Sequence, residues 1–355
     1  MKKYKTNFFT ISENEPTYFI ADIAANHDGS ISRAKKLIRL CAKAGANAAK
    51  FQHFKAETIV SKFGFDNLKR LAHQKKWKKD VFDVYKEASI NFNWTSQLAK
   101  ECKKNNIDFI TSPYDLSYVD MVNKYVCAYK IGSGDITWHE IIEKIARKNK
   151  LIIIATGASN LFEVKKAVKK ILNINKKLIL MQCNTNYTAD FKNYKYINLK
   201  VLNTYKKLFK KKIILGLSDH TFGSQTVLGA VAMGAKVVEK HFTDDNNREG
   251  PDHKFSMNPD TWAQMVKDTR ILEASLGDGK KKIEKNEIDS LVVQRRSIRA
   301  KIDIFKNSKI KRKMIEFLRP RPQNSIDPYN YKELINKKIS RNIQKGDVIT
   351  WRDIK

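Results

Sequence analysis

Before residue 242, eight short apolar runs recur along this chain, most of them followed by a longer stretch of helical period, and no other feature restricts the fold so far. The runs are Tyr18 to Ile23, Ala48 to His53, Asp108 to Thr111, Ala128 to Ile131, Leu151 to Ala155, Leu178 to Gln182, Ile213 to Gly216 and Val237 to His241. LIIIA, LILMQC and KIILGL are apolar almost without interruption, as strands covered on both faces of a parallel sheet must be. The amphipathic segments Ser32 to Ala44, Trp138 to Arg147, Leu161 to Ile171 and Gln225 to Met233 are long enough to cross back over a sheet as helices. Eight βα units in succession predict a (β/α)8 TIM barrel. An open doubly wound sheet is the alternative, but no G-x-G-x-x-G follows the first strand.

After about Gly279 the pattern changes. KKKIEKNEIDS is charged and helical, and RSIRAKIDIF, EFLRPRP and ISRNIQKGDVITWRDI read as short alternating strands broken by turns. The expected division is a barrel over residues 1–285 and a small β-rich domain over residues 290–355. Lys55 to Lys79 shows neither strand nor crossover helix, and a loop of that length is expected to be a lid or binding loop.

Cys41, Cys102, Cys127 and Cys183 lack C-x-x-C spacing and sit in apolar or helical patterns, which predicts reduced core thiols and a cytoplasmic location. No apolar run approaches the ~18 residues of a membrane helix, and MKKYKTNFFTISENEP lacks the apolar core of a signal peptide. The net charge of +32 invites a nucleic-acid or membrane partner. Its lysines are spread through nearly every segment, without a basic tail, so the expectation is a solvated surface that favours small anionic substrates.

In a βα barrel the reactive side chains stand at the C-terminal strand ends. Asp22 closes the first run and leads into Asn26-His27-Asp28-Gly29; the second carries Lys50 and Gln52; the third ends in Thr111-Ser112-Pro113. Lys130 precedes Gly132-Ser133-Gly134-Asp135, and Thr156-Gly157 ends the fifth run. The last three lead to Asn184, Asn186 and Tyr187, to Ser218-Asp219-His220, and to Glu239-Lys240-His241. Charges inside apolar strands need a partner, a metal or an anionic ligand. His220 and His241, on adjacent strands, are placed to share one divalent cation. Lys50 and Lys130 with Ser112, Ser133 and Ser218 suit a phosphate dianion; equally, the lysines pair with Asp22 or Asp135, or one of them forms a Schiff base. The polar loop from Asn246 to His253 suits a hydroxylated ligand. His27, His53 and His139 carry no message on their own, and Trp77, Trp94 and Trp138 read as packing.

FIADIAANHDG, AGANAAKFQ, YKIGSGDIT, GLSDHT, GAKVVEKHFT and EGPDHKFSMNPD resemble the N-acetylneuraminate (sialic acid) synthase family, and LRPRP with IQKGDVITWRDI resembles its C-terminal antifreeze-like (SAF) domain. The resemblance implies condensation of phosphoenolpyruvate with an open-chain N-acetylated hexosamine. N-acetylmannosamine, giving N-acetylneuraminate and phosphate, is the first expectation; legionaminate or pseudaminate from a 2,4-diacetamido-6-deoxyhexose is the alternative. It implies Mn2+ or Mg2+ on His220 and His241, and phosphate on Lys50, Ser112, Lys130, Ser133 and Ser218. Substrate contacts then fall to Asn184, Asn186, Tyr187, Glu239 and Asp252. Arg319 matches an arginine that one subunit of a domain-swapped homodimer inserts into its partner's barrel. Asp22 and Asp135 stand where the family commonly has glutamates, and with Lys50 and Lys130 they make the implied catalytic set. QCNTNYT departs from the commoner HCT-x-x-YP. A keto-sugar phosphate synthase would need a second cationic cluster for its phosphosugar, and none is evident in the sequence. The remaining alternative, a non-catalytic polyanion- or sugar-binding barrel, fits poorly with competent side chains at every implied catalytic position.

Overall fold

The computed structural model of the chain describes residues 2–68, 74, 77–188 and 190–355, and it divides into two units, Met1–Gly277 and Asp278–Lys355. In the first unit a short antiparallel hairpin, β1 (Lys3–Lys5) and β2 (Thr10–Ser12), precedes eight parallel strands: β3 (Tyr18–Asp22), β4 (Ala48–His53), β5 (Asp108–Pro113), β6 (Ala128–Ile131), β7 (Leu151–Ala155), β8 (Leu178–Cys183), β9 (Ile214–Asp219) and β10 (Val237–His241). Each pairs with the next in sequence and β10 closes on β3, giving the (β/α)8 barrel.

The helices of this unit are α1 (Ile31–Lys43), the three short helices α2 (Ala56–Ile59), α3 (Lys62–Asp66) and α4 (Val81–Ala88), then α5 (Thr95–Lys104), α6 (Leu116–Val122), α7 (His139–Arg147), α8 (Leu161–Ile174), α9 (Val201–Phe209), α10 (Gln225–Ala232) and α11 (Pro259–Ser275). Local chemistry starts several of them. Ser30 caps α1 by accepting from the Arg33 N–H, and Asn160 with Glu163 forms a capping box on α8. Asn258 caps α11, with Pro259 in its first turn.

Side chains alternate across each strand, so the barrel has two cores. Ile20, Ala48, Ile110, Ile153, Met181 and Val237 fill its interior, while Phe19, Phe51, Tyr129, Ile152, Leu217 and Val238 belong to the core that includes the helices. Tyr4 and Ile11 of the hairpin join the interior cluster, and the Tyr4 hydroxyl accepts from the Leu178 N–H at the start of β8. The hairpin therefore closes the N-terminal end of the barrel, leaving the other end for chemistry.

Several expected strand ends change. The third barrel strand runs on to Pro113, and the seventh begins at Ile214 and continues through Ser218 and Asp219. Polar residues ended these runs in the sequence, but here they are buried, Ser218 and Asp219 with partners. The stretch from Lys55 to Lys79 contains α2 and α3, and Ala56, Val60 and Val81 form a small core with Ile59, Phe65 and Tyr85; residues 69–73, 75 and 76 lie outside the described residues.

The second unit surrounds a core rich in isoleucine, including Ile298, Ile304, Ile315, Ile326 and Ile339. Its several expected strands reduce to one antiparallel pair, β11 (Ser297–Ala300) with β12 (Ile315–Leu318), joined by single-residue bridges such as Ile304 to Ile343. Turns such as the one at Asn307, where φ is +67°, interrupt the alternation too often for longer ladders. Helices α12 (Ile288–Val293) and α13 (Tyr331–Leu334) complete it. All four cysteines are free, and no helix among the described residues is long and apolar enough to cross a membrane.

Two buried histidines make the barrel acid-sensitive. His53 holds Thr111 and Thr95 through its two ring nitrogens at 2.6 and 2.8 Å, and His27 Nδ1 accepts from the Gly29 N–H at 3.1 Å. Burial lowers their pKa values to about 3 and about 4, respectively. Unfolding restores ordinary imidazoles that bind protons near pH 6.5, so these groups contribute stability above that pH and lose it as pH falls toward 4. Thermal melts from pH 7.5 to 4.5 should show Tm falling below pH 6.5, less steeply in His53→Gln; equal slopes would remove this residue from the account.

Candidate active site

Register sets the site. Along the barrel wall Asp22 pairs with His241 on one side and Lys50 on the other, while Glu239 pairs with Ser218. Asp22, Lys50, Lys130, Ser218 and Glu239 are all at least nine-tenths buried. Lys50 Nζ lies 2.8 Å from Asp22 Oδ2 and 3.2 Å from Glu239 Oε1, and Lys130 Nζ lies 3.0 Å from the same Glu239 oxygen. The Ser218 hydroxyl donates to it as well, at 3.2 Å. Two ammonium groups and a hydroxyl thus converge on one oxygen, while Glu239 Oε2 has no partner among the described residues.

The energetics of burial are settled inside this cluster. Burial opposes ionisation of Glu239, but Lys130 and Lys50 hold its carboxyl down at about 2. Burial likewise opposes the charge on Lys50, yet Asp22 and Glu239 raise its pKa. Lys130, with Glu239 alone as a close anion, is lowered by burial. The sequence alternative of lysine–carboxylate pairing therefore describes Lys50 with Asp22, whereas the partner of Lys130 is Glu239. Asp135 stands apart: burial raises its carboxyl to about 6 and Lys130 offsets this only in part.

Beside this cluster stand the two imidazoles. His220 and His241 have ring centroids 5.3 Å apart, and burial lowers them to about 3 and about 4, so both are neutral at physiological pH. The His220 Nδ1 hydrogen-bonds the Asn184 carbonyl at 2.9 Å, which leaves Nε2 for a ligand. His241 Nε2 lies 3.5 Å from Asp22 Oδ2, and its buried Nδ1 has no hydrogen-bond partner among the described residues, with Asp252 Oδ2 3.8 Å away. Two neutral imidazoles, an orphaned ring nitrogen and nearby carboxylates suit a hard or borderline divalent cation that leaves positions open for oxygen ligands. Among the described residues no group of three or more His, Cys, Asp or Glu side chains is assembled as a coordination sphere.

These groups line one cavity of about 480 Å³, within the usual range for small-molecule sites. Of the candidates from sequence, Asp22, Lys50, Lys130, Ser133, Asp135 and Tyr187 open onto it, as do Ser218, His220, Glu239, His241 and Asp252. Ser133 is positioned by Gly157, whose N–H donates to the serine Oγ at 2.9 Å. A Cβ at Gly157 would come within 2.5 Å of Thr185 and 3.0 Å of that hydroxyl, so the approach requires glycine.

Other candidates lie elsewhere. Ser112 is buried, its hydroxyl has no partner among the described residues, and it does not line the cavity. The Asn184 amide donates to the Tyr196 carbonyl, and Asn186 Oδ1 accepts from Thr188 and Asn193; both face a separate small recess beside Tyr196. Arg319 is exposed in the second unit, just after β12. Sequence reasoning missed Tyr85 and Tyr114, which line the cavity. The close approach of the Tyr114 hydroxyl to Gly132, where a Cβ would stand only 2.9 Å from it, was a long-range relation that spacing could not show.

Comparison with known proteins decides the family. The NeuB family model matches residues 37–281 and the SAF domain model matches residues 295–355. The chain belongs to the NeuB family. It is 35% identical to the N,N'-diacetyllegionaminic acid synthase of Campylobacter jejuni, over 94% of this chain and 98% of that one. The pseudaminic acid synthase of the same species is 30% identical, over 96% and 97%. The solved N-acetylneuraminic acid synthetase of Leptospira borgpetersenii superposes with a TM-score of 0.70 at 27% identity, covering 82% of this chain and 95% of the other.

Behind the site this NeuB-family barrel carries a second buried ion pair. Asp219 and Lys240 are register partners whose side chains point away from the interior, toward α10. Lys240 Nζ bonds Asp219 Oδ2 and, at 2.7 Å, the Thr221 carbonyl; Thr226 of α10 and Thr221 donate to the carboxylate at 2.7 and 2.9 Å. Each member is next in sequence to one of the paired histidines. Lys240→Met should cost about 3–5 kcal/mol, because it strands a buried carboxylate. The double variant Asp219→Asn, Lys240→Met should cost less. Urea midpoints of the three proteins test this, and additive losses would show that the two groups do not act as a pair.

Proposed function

We propose that the chain condenses phosphoenolpyruvate with the open-chain form of an N-acetylated hexosamine, yielding a nine-carbon 2-keto acid and inorganic phosphate. The observation that carries this is the convergence of Lys50, Lys130 and Ser218 on one carboxylate oxygen, in a cavity that also presents two neutral imidazoles. Donors so arranged fit a phosphate oxygen as well as they fit Glu239. N-acetylmannosamine would give N-acetylneuraminate; a 2,4-diacetamido-6-deoxyhexose would give legionaminate or pseudaminate.

The reaction balances with one water. C3 of phosphoenolpyruvate forms a carbon–carbon bond to the aldehyde carbon, whose oxygen takes up a proton and becomes a hydroxyl. Water adds at C2, and the C2–O bond to phosphate then breaks to leave the ketone. Lys50, Lys130, Ser133 and Ser218 hold the phosphate, with Ser112 supporting them on the neighbouring strand. Asp22, whose carboxyl burial raises and Lys50 draws back only in part, takes the proton of the attacking water. Asp135, with its carboxyl at about 6, holds or gives a proton near neutrality. Tyr187 and Asp252 face the sugar, and Glu239 fixes both lysines. Mn2+ or Mg2+ held by His220 and His241 supplies Lewis-acid polarisation of the aldehyde when bound. The reading carries with it a cytoplasmic location and a homodimer in which the exposed Arg319 of one subunit serves the barrel of the other.

Phosphate release from phosphoenolpyruvate with Mn2+, measured with each sugar and with none, tests the reaction. Release must depend on a sugar; release without one, or none at all, refutes it. Lys130→Met should raise KM for phosphoenolpyruvate about 10- to 100-fold, the loss of one charge-assisted hydrogen bond. His241→Ala should lose bound metal and metal-dependent turnover together, and a variant that keeps both would free the histidines from that role. Arg319→Ala and a chain ending at residue 285 should both fall at least about tenfold in kcat/KM; a fully active truncated barrel would refute the shared site.

A further inference from the structure

The loops that follow β3 and β10 are tied together where the barrel closes. After β3, the Ala25 N–H donates to Asp252 Oδ2 at 3.2 Å, and the Asn26 amide donates to the Phe242 carbonyl and the Ser256 hydroxyl, both at 2.9 Å. The third tie is His253, which is fully buried. A carboxylate only accepts, so the proton on His253 Nε2 is donated to Asp28 Oδ1, at 2.9 Å, while Nδ1 hydrogen-bonds the Thr243 hydroxyl at 2.7 Å. Arg33 of α1 brings its Nε to 3.3 Å from the other oxygen of Asp28. A carboxylate, an imidazole and a hydroxyl thus run in series from one loop to the other, with both ring nitrogens used.

The backbone on both sides accommodates this contact. Asp28 stands at φ +47°, a left-handed conformation that glycine adopts freely and that is costly for an aspartate, so its carboxylate is held in place against that cost. Gly250 lies over the imidazole: a Cβ there would stand 2.6 Å from His253 Cδ2 and push the ring away from Asp28. His253 directly follows Asp252, which opens onto the cavity with Oδ2 3.8 Å from His241 Nδ1. A ring locked through both nitrogens fixes the peptide between these two residues, and the Ala25 N–H fixes the carboxylate itself. Asp252 is therefore aimed into the cavity before any ligand arrives. Asp28, Thr243 and His253 are absent from the cavity's described lining, so they act on it only through Asp252. Resting on the condensation reading above, in which Asp252 faces the sugar, we infer that Asp28 and His253 are positioning residues for the sugar. Without them the sugar is held more weakly, while phosphoenolpyruvate, held by Lys50 of β4 and Lys130 of β6, binds as before.

The experiment measures phosphate release by the full-length protein with Mn2+, varying phosphoenolpyruvate and sugar separately. The sugar is N-acetylmannosamine or, where the protein uses it better, 2,4-diacetamido-2,4,6-trideoxymannose. Asp28→Gly removes the acceptor and relaxes the backbone, and Gly250→Ala crowds His253 from the other side. Each should raise KM for the sugar at least about tenfold, since a displacement of about 1 Å is enough for such a loss, and leave KM for phosphoenolpyruvate unmoved. Asp28→Asn keeps an oxygen acceptor and tolerates positive φ, so it should restore most of the sugar affinity. Asp252→Asn should raise the sugar KM by itself, and adding Asp28→Gly to it should change little, because Asp28 acts through that carboxylate. An unchanged sugar KM in both Asp28→Gly and Gly250→Ala, an equal rise in both KM values, or full additivity with Asp252→Asn would overturn the inference and leave the condensation reading standing. No sugar-dependent release by the unaltered protein would overturn both.

Discussion

The buried charge cluster of Asp22, Lys50, Glu239 and Lys130 is the interaction on which the site depends. Each group taken alone would be expensive to desolvate, since an unpaired ion in a protein interior costs several kcal/mol. Together they carry two positive and two negative charges, and both ammonium groups share Glu239 Oε1. The barrel makes this possible through register: Asp22 and Lys50 are partners across β3 and β4, and Glu239 stands on β10, which closes against β3. A one-residue slip of β10 would turn Glu239 outward and leave both lysines facing the interior with only Asp22.

The same alternation lets three consecutive residues serve two layers. On β9 Ser218 faces the cavity while Asp219 faces α10; on β10 Glu239 faces the cavity and Lys240 faces outward. The ion pair between Asp219 and Lys240 lies behind the wall, and the two histidines lie in front of it. Because the pair is bonded to the Thr221 carbonyl and to Thr226 of α10, it fixes the backbone at the ends of both strands. A pair of imidazoles 5.3 Å apart therefore rests on a scaffold that cannot shift one strand without exposing a buried charge.

The barrel was legible because burial on both faces leaves a strong local mark, runs such as LIIIA and LILMQC that few other environments tolerate. The reactive strand ends were legible for the converse reason: Lys50, Lys130 and Glu239 interrupt such runs at a cost that only partnership repays. What sequence could not supply was who pairs with whom. Glu239 lies 109 residues after Lys130, yet the bond between them spans the barrel interior, whereas Asp135, five residues after Lys130, receives no such bond. Asn184 and Asn186 carried the right chemistry beside Tyr187, but local hydrogen bonds to Tyr196, Thr188 and Asn193 claim their amides. The hairpin at the N-terminus was hidden because its strands have three residues each, too few for alternation to stand out.

Charge balance within the cluster constrains how an anion can enter. The two lysines are already matched by Asp22 and Glu239, so an arriving phosphate finds no surplus positive charge there and must share donors with Glu239. That carboxylate has one oxygen engaged by three donors and one with none among the described residues, so a rotation that turns the engaged oxygen away would open the donors while keeping the counter-charge of the lysines nearby. The net charge of +32 cannot substitute for this, because it resides on a solvated surface, where ions screen it within about 8–10 Å. Its contribution lies outside the cavity, in raising the local concentration of small anions.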